Sequence, residues 1–211
     1  MSAKADVLAR IRTALGPEPA VPEVARSYHA AGSGAAAGDP GVVARFCERA
    51  AEYRAAVRRV DGGGLEAAVA AACAERGAVR LAVPTGAPRE LPGLELTVDE
   101  PPLSPQALDG LDGVLTGCAL AIAETGTVVL DGGERSGRRA LTLVPDFHVC
   151  VVQEHQIHAS VPDAVAALAP AVAEARPLTF VSGPSATSDI ELERVEGVHG
   201  PRELVILVIA G

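Results

Sequence analysis

The sequence has no tryptophan, two tyrosines, three phenylalanines and a single methionine. Platforms that stack nucleobases and cages that hold quaternary ammonium groups need aromatic faces, and neither is well supplied here. Lysine is nearly missing too, since Lys4 is the only one. Schiff-base catalysis and the phosphate-binding P-loop each require a placed lysine, so neither is expected. No apolar run approaches the length of a membrane span, and the opening MSAKADVLARIRTALG interleaves charge with Leu and Ile instead of forming a signal core. A cytoplasmic location is the expectation. No basic tract offsets the net charge of −9, which would repel a phosphodiester backbone, so nucleic acid is not an expected partner. The four cysteines, Cys47, Cys73, Cys118 and Cys150, never form a CxxC pair. They spell neither a zinc knuckle nor an iron–sulfur motif, and buried reduced thiols are expected.

What the chain does contain is 48% hydrophobic residues over 211 positions, enough for one substantial core. Ser2 to Leu15 has the spacing of an amphipathic helix, with Val7, Leu8, Ile11 and Leu15 on one face. Pro17 to Pro40 is rich in Ala, Gly and Pro, the composition of a mobile linker, and proteolysis between Gly32 and Gly41 is expected first. Its GSGAAAG follows no strand and lacks the dinucleotide-loop spacing. The organisation read from this is a helix and flexible linker over residues 1–40 and an α/β domain over residues 41–211. Asp39 to Val60 reads as one helix with a stripe of Val42, Val43, Phe46, Ala50, Tyr53 and Val57, and Leu65 to Arg76 as the next. Strands follow at Val79 to Val83 and Leu94 to Val98, then a short helix opened by Ser104-Pro105. Further strands are expected from Gly113, at Thr127 to Leu130, His148 to Gln153, Leu178 to Val181 and Glu203 to Ile209, with a helix at Ser160 to Ala175. This alternation predicts one mixed, mostly parallel sheet covered by helices on both faces.

Three stretches carry polar chemistry. In AIAETGTVVL, Glu124 and Thr125 precede Gly126 and Thr127 at a turn between apolar runs. Glu124 there reads either as a site carboxylate or as a solvated turn acid. In DGGERSGRR, Arg135, Arg138 and Arg139 stand on a glycine-rich loop that could clamp an anion or merely face solvent. SGPSATSD follows a strand, and Ser188 with Glu191 fits a capping box, so the hydroxyls of Ser185, Thr187 and Ser188 either cap a helix or touch a ligand. Among the histidines, His155 and His158 are three apart in an extended segment and point to opposite faces, which disfavours a metal. His148 reads as a half-buried imidazole satisfied by its surroundings, and His199, in EGVHGP, is the better site candidate. The expected site brings Glu124, Thr125, Gly126 and Thr127 across one cleft from Gly183, Ser185, Thr187, Ser188, Asp189 and His199. A small anion, a hydroxy acid or phosphate, would be bound there, with Arg135 or Arg138 offsetting the carboxylates.

Taken together, AIAETGTVVL, GRRALTLVPDFHVCVV and GPSATSDIELERVEGVHGP resemble the LUD-domain (DUF162) family, and the N-terminal LARIRTALG fits as well. The resemblance implies a three-layer α/β/α sandwich like that of sugar-phosphate isomerases and CoA transferases. It further implies a role in oxidising L-lactate to pyruvate beside two other subunits, at least one of them carrying iron–sulfur clusters. No cofactor motif is found in this chain itself, so the implied part is a ligand-binding, assembly or regulatory one; self-association is left open. The fold likeness also suggests a second reading, in which Glu124 acts as nucleophile or acid/base on a small anionic substrate, as in CoA transferases or sugar-phosphate isomerases.

Overall fold

The computed structural model describes residues 2–17, 23–32, 34–187, 195–197 and 199–210. In chain order these give α1 (Ala3–Leu15), α2 (Pro40–Glu52), β1 (Ala56–Val60), α3 (Leu65–Ala74), β2 (Arg80–Val83), β3 (Glu95–Val98), α4 (Pro105–Asp109), β4 (Gly113–Gly117), β5 (Leu120–Ile122) and β6 (Thr127–Leu130). There follow β7 (Phe147–Gln153), β8 (Ile157–His158), α5 (Val161–Ala167), α6 (Ala169–Ala173), β9 (Thr179–Val181), β10 (Ala186–Thr187), β11 (Val195–Glu196) and β12 (Glu203–Ile209). Short polar side chains start the helices where the sequence places them. Asp39 accepts from the Gly41 N–H before Pro40, and the Ser104 and Ser160 hydroxyls accept from Ala107 and Asp163.

The helix expected over Asp39 to Val60 is half helix and half strand. It stops at Glu52, and Arg54 takes a left-handed conformation, φ +68°, that turns the chain back. Ala56–Val60 then pairs in parallel with Val205–Ile209. Val57, placed on the helical stripe by spacing, is a strand residue.

The single mixed sheet expected from the alternation is divided. Six strands form an all-parallel sheet in the order β1-β12-β7-β4-β2-β3. Thr127–Leu130 and Thr179–Val181 belong instead to a four-stranded sheet, β8-β5-β6-β9, in which β5–β6 and β6–β9 are antiparallel. Directly after β4 the chain passes from the first sheet to the second. The strand expected at Leu178 to Val181 lies at an edge of the small sheet, with Phe180 51% exposed.

Helices cover both faces of the large sheet, giving the α/β/α order. On one face α3 sets Val69, Ala72 and Cys73 against Leu81, Val83, Leu115, Val149 and Leu207. On the other, Val43, Phe46 and Ala50 of α2 share a core with Cys150, Val152, Ile206 and Val208 and with Ala121, Val128 and Leu130 of the small sheet. The far side of the small sheet packs Leu120, Ile122 and Val129 on Ala164 and Leu168. Removal of these side chains from water supplies the main driving force for the layering. All four cysteines are free thiols, with Cys73, Cys118 and Cys150 buried. Among the described residues no helix is long and apolar enough to cross a membrane.

Helix α1 buries none of its residues, and Val7, Ile11 and Leu15 stand about half exposed. The glycine-rich stretch after it is pinned. Gly32 N–H donates to Asp163 Oδ1 at 2.6 Å and Gly38 N–H to Ile157 O at 3.1 Å, so the segment expected to be free lies along β8 and α5. Limited trypsin digestion is accordingly expected to cut after exposed Arg26 well before it cuts after Arg45 in α2. Mass spectrometry of the first fragments checks this, and early cleavage after Arg45 would show that α2 opens readily in solution.

Candidate functional site

Two loops and the starts of two central strands enclose a cleft of about 250 Å³ lined by Arg139, Thr142, His148, Ser182, Gly183, Ser185 and His199, among others. It lies at the N-terminal ends of β7 and β12, since His148 is the second residue of β7 and Gly200-Pro201 lead into β12. The loop after β9 is held in place by backbone: Ser185 N–H donates to Pro201 O at 2.8 Å. Ser185 Oγ accepts from the His199 N–H at 3.1 Å, and among the described residues the Ser185 hydroxyl hydrogen has no acceptor.

Arg139 is the cation of this cleft. Its Nη1 donates to Thr142 O at 2.8 Å and Thr142 Oγ1 at 3.0 Å, and its Nη2 to His199 O at 2.7 Å. All three acceptors are neutral, and among the described residues Arg139 forms no ion pair. Partial burial lowers its pKa, the mark of a guanidinium that has lost water without gaining a carboxylate. An anionic ligand would restore that balance. Beneath the cleft, His148 is 1% exposed and its Nε2 lies 2.7 Å from Thr116 Oγ1. Farther along the same face Cys150 and Cys118 meet. The Cys118 thiol is pushed up by its hydrogen bond to Cys150 and by burial, while hydrogen bonds from Cys118 and His148 lower that of Cys150.

The residues nominated from the sequence are placed in four ways. Gly183, Ser185 and His199 line the cleft. Thr127 reaches its edge, 2.7 Å from Ser182 Oγ, and Thr125 joins Thr127 at 2.7 Å, so the ETGT and SGPS stretches do meet through hydroxyls. Four others are held elsewhere. Glu124 is exposed at the hairpin tip and its Oε2 accepts from the Val161 N–H at 3.2 Å, at the start of α5. Gly126 is buried against the backbone of α2. Arg138 is bound through Nε and Nη2 to Asp99, at 2.6 and 2.9 Å, and to Leu103 O. Arg135 sits at the opposite, C-terminal end of the large sheet, beside Gly117. Thr187 falls in β10, which pairs with β11, while Ser188 and Asp189, with the expected helix start, lie outside the described residues. Spacing did not single out Arg139, because nothing in GRRALT distinguishes the arginine with a carboxylate partner from its neighbour without one. Among the described residues no group of His, Cys, Asp and Glu side chains is arranged to hold a metal ion.

The LUD-domain family model matches residues 105–209, a span that contains every residue lining this cleft. The chain is also 52% identical over 170 residues to lactate utilization protein C of Deinococcus radiodurans, covering 80% of this chain and 79% of that protein. This chain belongs to the LUD-domain family. A crystal structure of a DUF162 family protein from Deinococcus radiodurans superposes with a TM-score of 0.71 at 45% identity, covering 80% of this chain and 96% of that one. Lactate utilization protein C of Geobacillus kaustophilus is 30% identical over 129 residues, 57% of this chain and 53% of that protein. Within the LUD domain, helix α4 to strand β12, lie the second sheet, the hydroxyl contacts and Arg139. Helices α2 and α3 and strands β1 to β3 precede the matched span.

Proposed function

We propose that this LUD-domain protein serves lactate utilization by binding a small hydroxy-carboxylate in the Arg139 cleft, as a ligand-holding subunit of a multi-protein system that oxidises L-lactate to pyruvate. The observation that carries the reading is the partly buried Arg139 guanidinium, whose hydrogen bonds among the described residues go to neutral oxygens. A ligand carboxylate on its remaining N–H groups would form a charge-assisted contact, and the Ser185 hydroxyl is free to reach an α-hydroxyl. The names of the relatives support a role in lactate utilization, and lactate offers both groups.

Electron transfer is assigned to partner subunits. Cys73 belongs to the core on one face of the large sheet while Cys47, Cys118 and Cys150 belong to the core on the other, and this split of the four thiols supports placing cluster chemistry on other subunits. Iron–sulfur subunits would then act on the ligand that this chain presents or senses.

Calorimetric titration with L-lactate, pyruvate, propionate and phosphate tests the reading. Lactate should bind more tightly than propionate, which lacks the hydroxyl, and Arg139→Gln should weaken lactate by at least about tenfold. Ser185→Ala should bring lactate down to the level of propionate. Glu124→Gln should change nothing. Unaltered lactate binding in Arg139→Gln would sink the assignment, and loss of binding or turnover in Glu124→Gln would favour transferase-like chemistry instead.

A further inference from the structure

The parallel sheet has a second special place, at its other end. Strand β2 runs on to β3 on one side, whereas its neighbour β4 leads away to β7 on the other. Where adjacent parallel strands send their connections in opposite directions, a crevice opens outside their C-terminal ends, and in open α/β sheets ligands bind in that crevice. Here it is a cavity of about 210 Å³. Leu65 and Val69 of α3, Ala87 and Leu91 of the β2–β3 connection, and Leu115 and Val151 of the sheet make its walls.

The glycine-rich loop after β6 is fastened over this crevice by two backbone bonds. Gly86 N–H donates to Glu134 O and Gly117 N–H to Arg135 O, each at 2.9 Å. The approach is close: a Cβ on Gly86 would lie 2.9 Å from Glu134 O, so a side chain there would lift the loop. Arg135 is thereby set at the mouth, where it also lines a neighbouring polar cavity of about 430 Å³ with Asp131, His158 and Arg176. Asp131 is already taken by Arg176 and by the Ser136 hydroxyl. Arg135 has no ion-pair partner among the described residues. A mostly apolar hole, with Glu66 of α3 also in its lining, thus ends at a guanidinium that has no ion-pair partner among the described residues.

We infer that this crevice is a second ligand site, separate from the Arg139 cleft, for a small aliphatic molecule with one anionic head group. The chain of the ligand fills the space between α3 and the sheet, and the head group lies on Arg135. Transfer of each methylene from water to such walls corresponds to about a three- to fourfold gain in affinity.

The probes are butyrate, valerate, hexanoate and 1-hexanol, titrated calorimetrically into the full chain. Affinity should rise about three- to fourfold per added methylene along the carboxylates. Arg135→Gln should weaken hexanoate about tenfold or more and leave hexanol unchanged. Ala87→Leu, which fills the cavity from an exposed connection, should abolish both while melting as the parent does. Both variants should keep lactate binding at Arg139, so the two sites stand or fall separately. Affinities independent of chain length, hexanoate binding that survives Ala87→Leu, or hexanoate lost through Arg139→Gln and not through Arg135→Gln would each overturn the inference.

Discussion

Gly126→Ala should lower the melting temperature by roughly 10 °C, a loss of about 3 kcal/mol or more for a chain of this size. Two costs combine. Gly126 has φ +61°, a left-handed conformation that costs an L side chain about 1–2 kcal/mol. In addition, the new Cβ would lie 2.5 Å from Ala50 N and Arg49 C, which are backbone atoms of α2 and cannot rotate away. Helix and hairpin would have to part, opening the core that Phe46 and Ala50 share with Val128 and Leu130. Differential scanning calorimetry of Gly126→Ala beside Thr125→Ala checks this, the second variant losing one part-buried hydroxyl contact to Thr127 and about 1 kcal/mol at most. If Gly126→Ala melts like the parent and loses only ligand affinity, the glycine belongs to a site after all.

The second large effect is expected at Arg138→Ala, about 2–3 kcal/mol at pH 7. The Asp99 side chain is 5% exposed and is held by two contacts from Arg138 and one from the Leu103 N–H at 2.7 Å. Burial by itself raises the pKa of Asp99, but the hydrogen bonds from Arg138 and Leu103 outweigh it and the net shift is downward. In the parent, then, Asp99 contributes stability that is present above the ordinary aspartate pKa and is lost as the pH falls through its lowered value. Arg138→Ala leaves burial as the largest influence, so the carboxyl takes up a proton more readily and the penalty of a lone buried charge is relieved in mild acid. Urea midpoints of parent and variant should therefore differ most near pH 7 and draw together toward pH 4. A difference independent of pH would mean that the loss comes from the arginine stem and not from the stranded charge.

Both residues were chosen from the sequence as ligand contacts, and the reason is instructive. A glycine after an acid, and an arginine in a glycine-rich loop, have the same local signature whether they face a ligand or a neighbouring element. The neighbours these two have in the structure, Ala50 for Gly126 and Asp99 for Arg138, lie far away in the sequence and carry no spacing signal. Local chemistry was legible. The caps at Asp39, Ser104 and Ser160 and the apolar runs at Gly113–Gly117, Phe147–Gln153 and Glu203–Ile209 marked their elements closely. Sheet membership was not, because Thr127–Leu130 is buried on both faces in the small sheet just as a central parallel strand would be. Strand β1 was hidden by Val57, which continues the helical stripe, and by a left-handed arginine where a glycine would have signalled the break. Of the cleft, the SGPS loop and His199 were named from the sequence, while Arg139 stood out only from the arrangement of its acceptors.

The position of β12 has a consequence for how the molecule assembles. Strands β2, β3 and β4 can find one another over short stretches of chain, but β1 pairs with a strand drawn from the far side of the sequence, and that strand also separates β1 from β7. Closing so long a loop costs entropy before any contact repays it, and pairings of this kind slow the search for the native state. Until β12 inserts, the inner edges of β1 and β7 both lie open with unpaired amides, a surface on which two unfinished chains could join. Only β12 fills the gap between β1 and β7, so weakening its pairing is expected to slow folding and to lengthen the time during which the chain can aggregate.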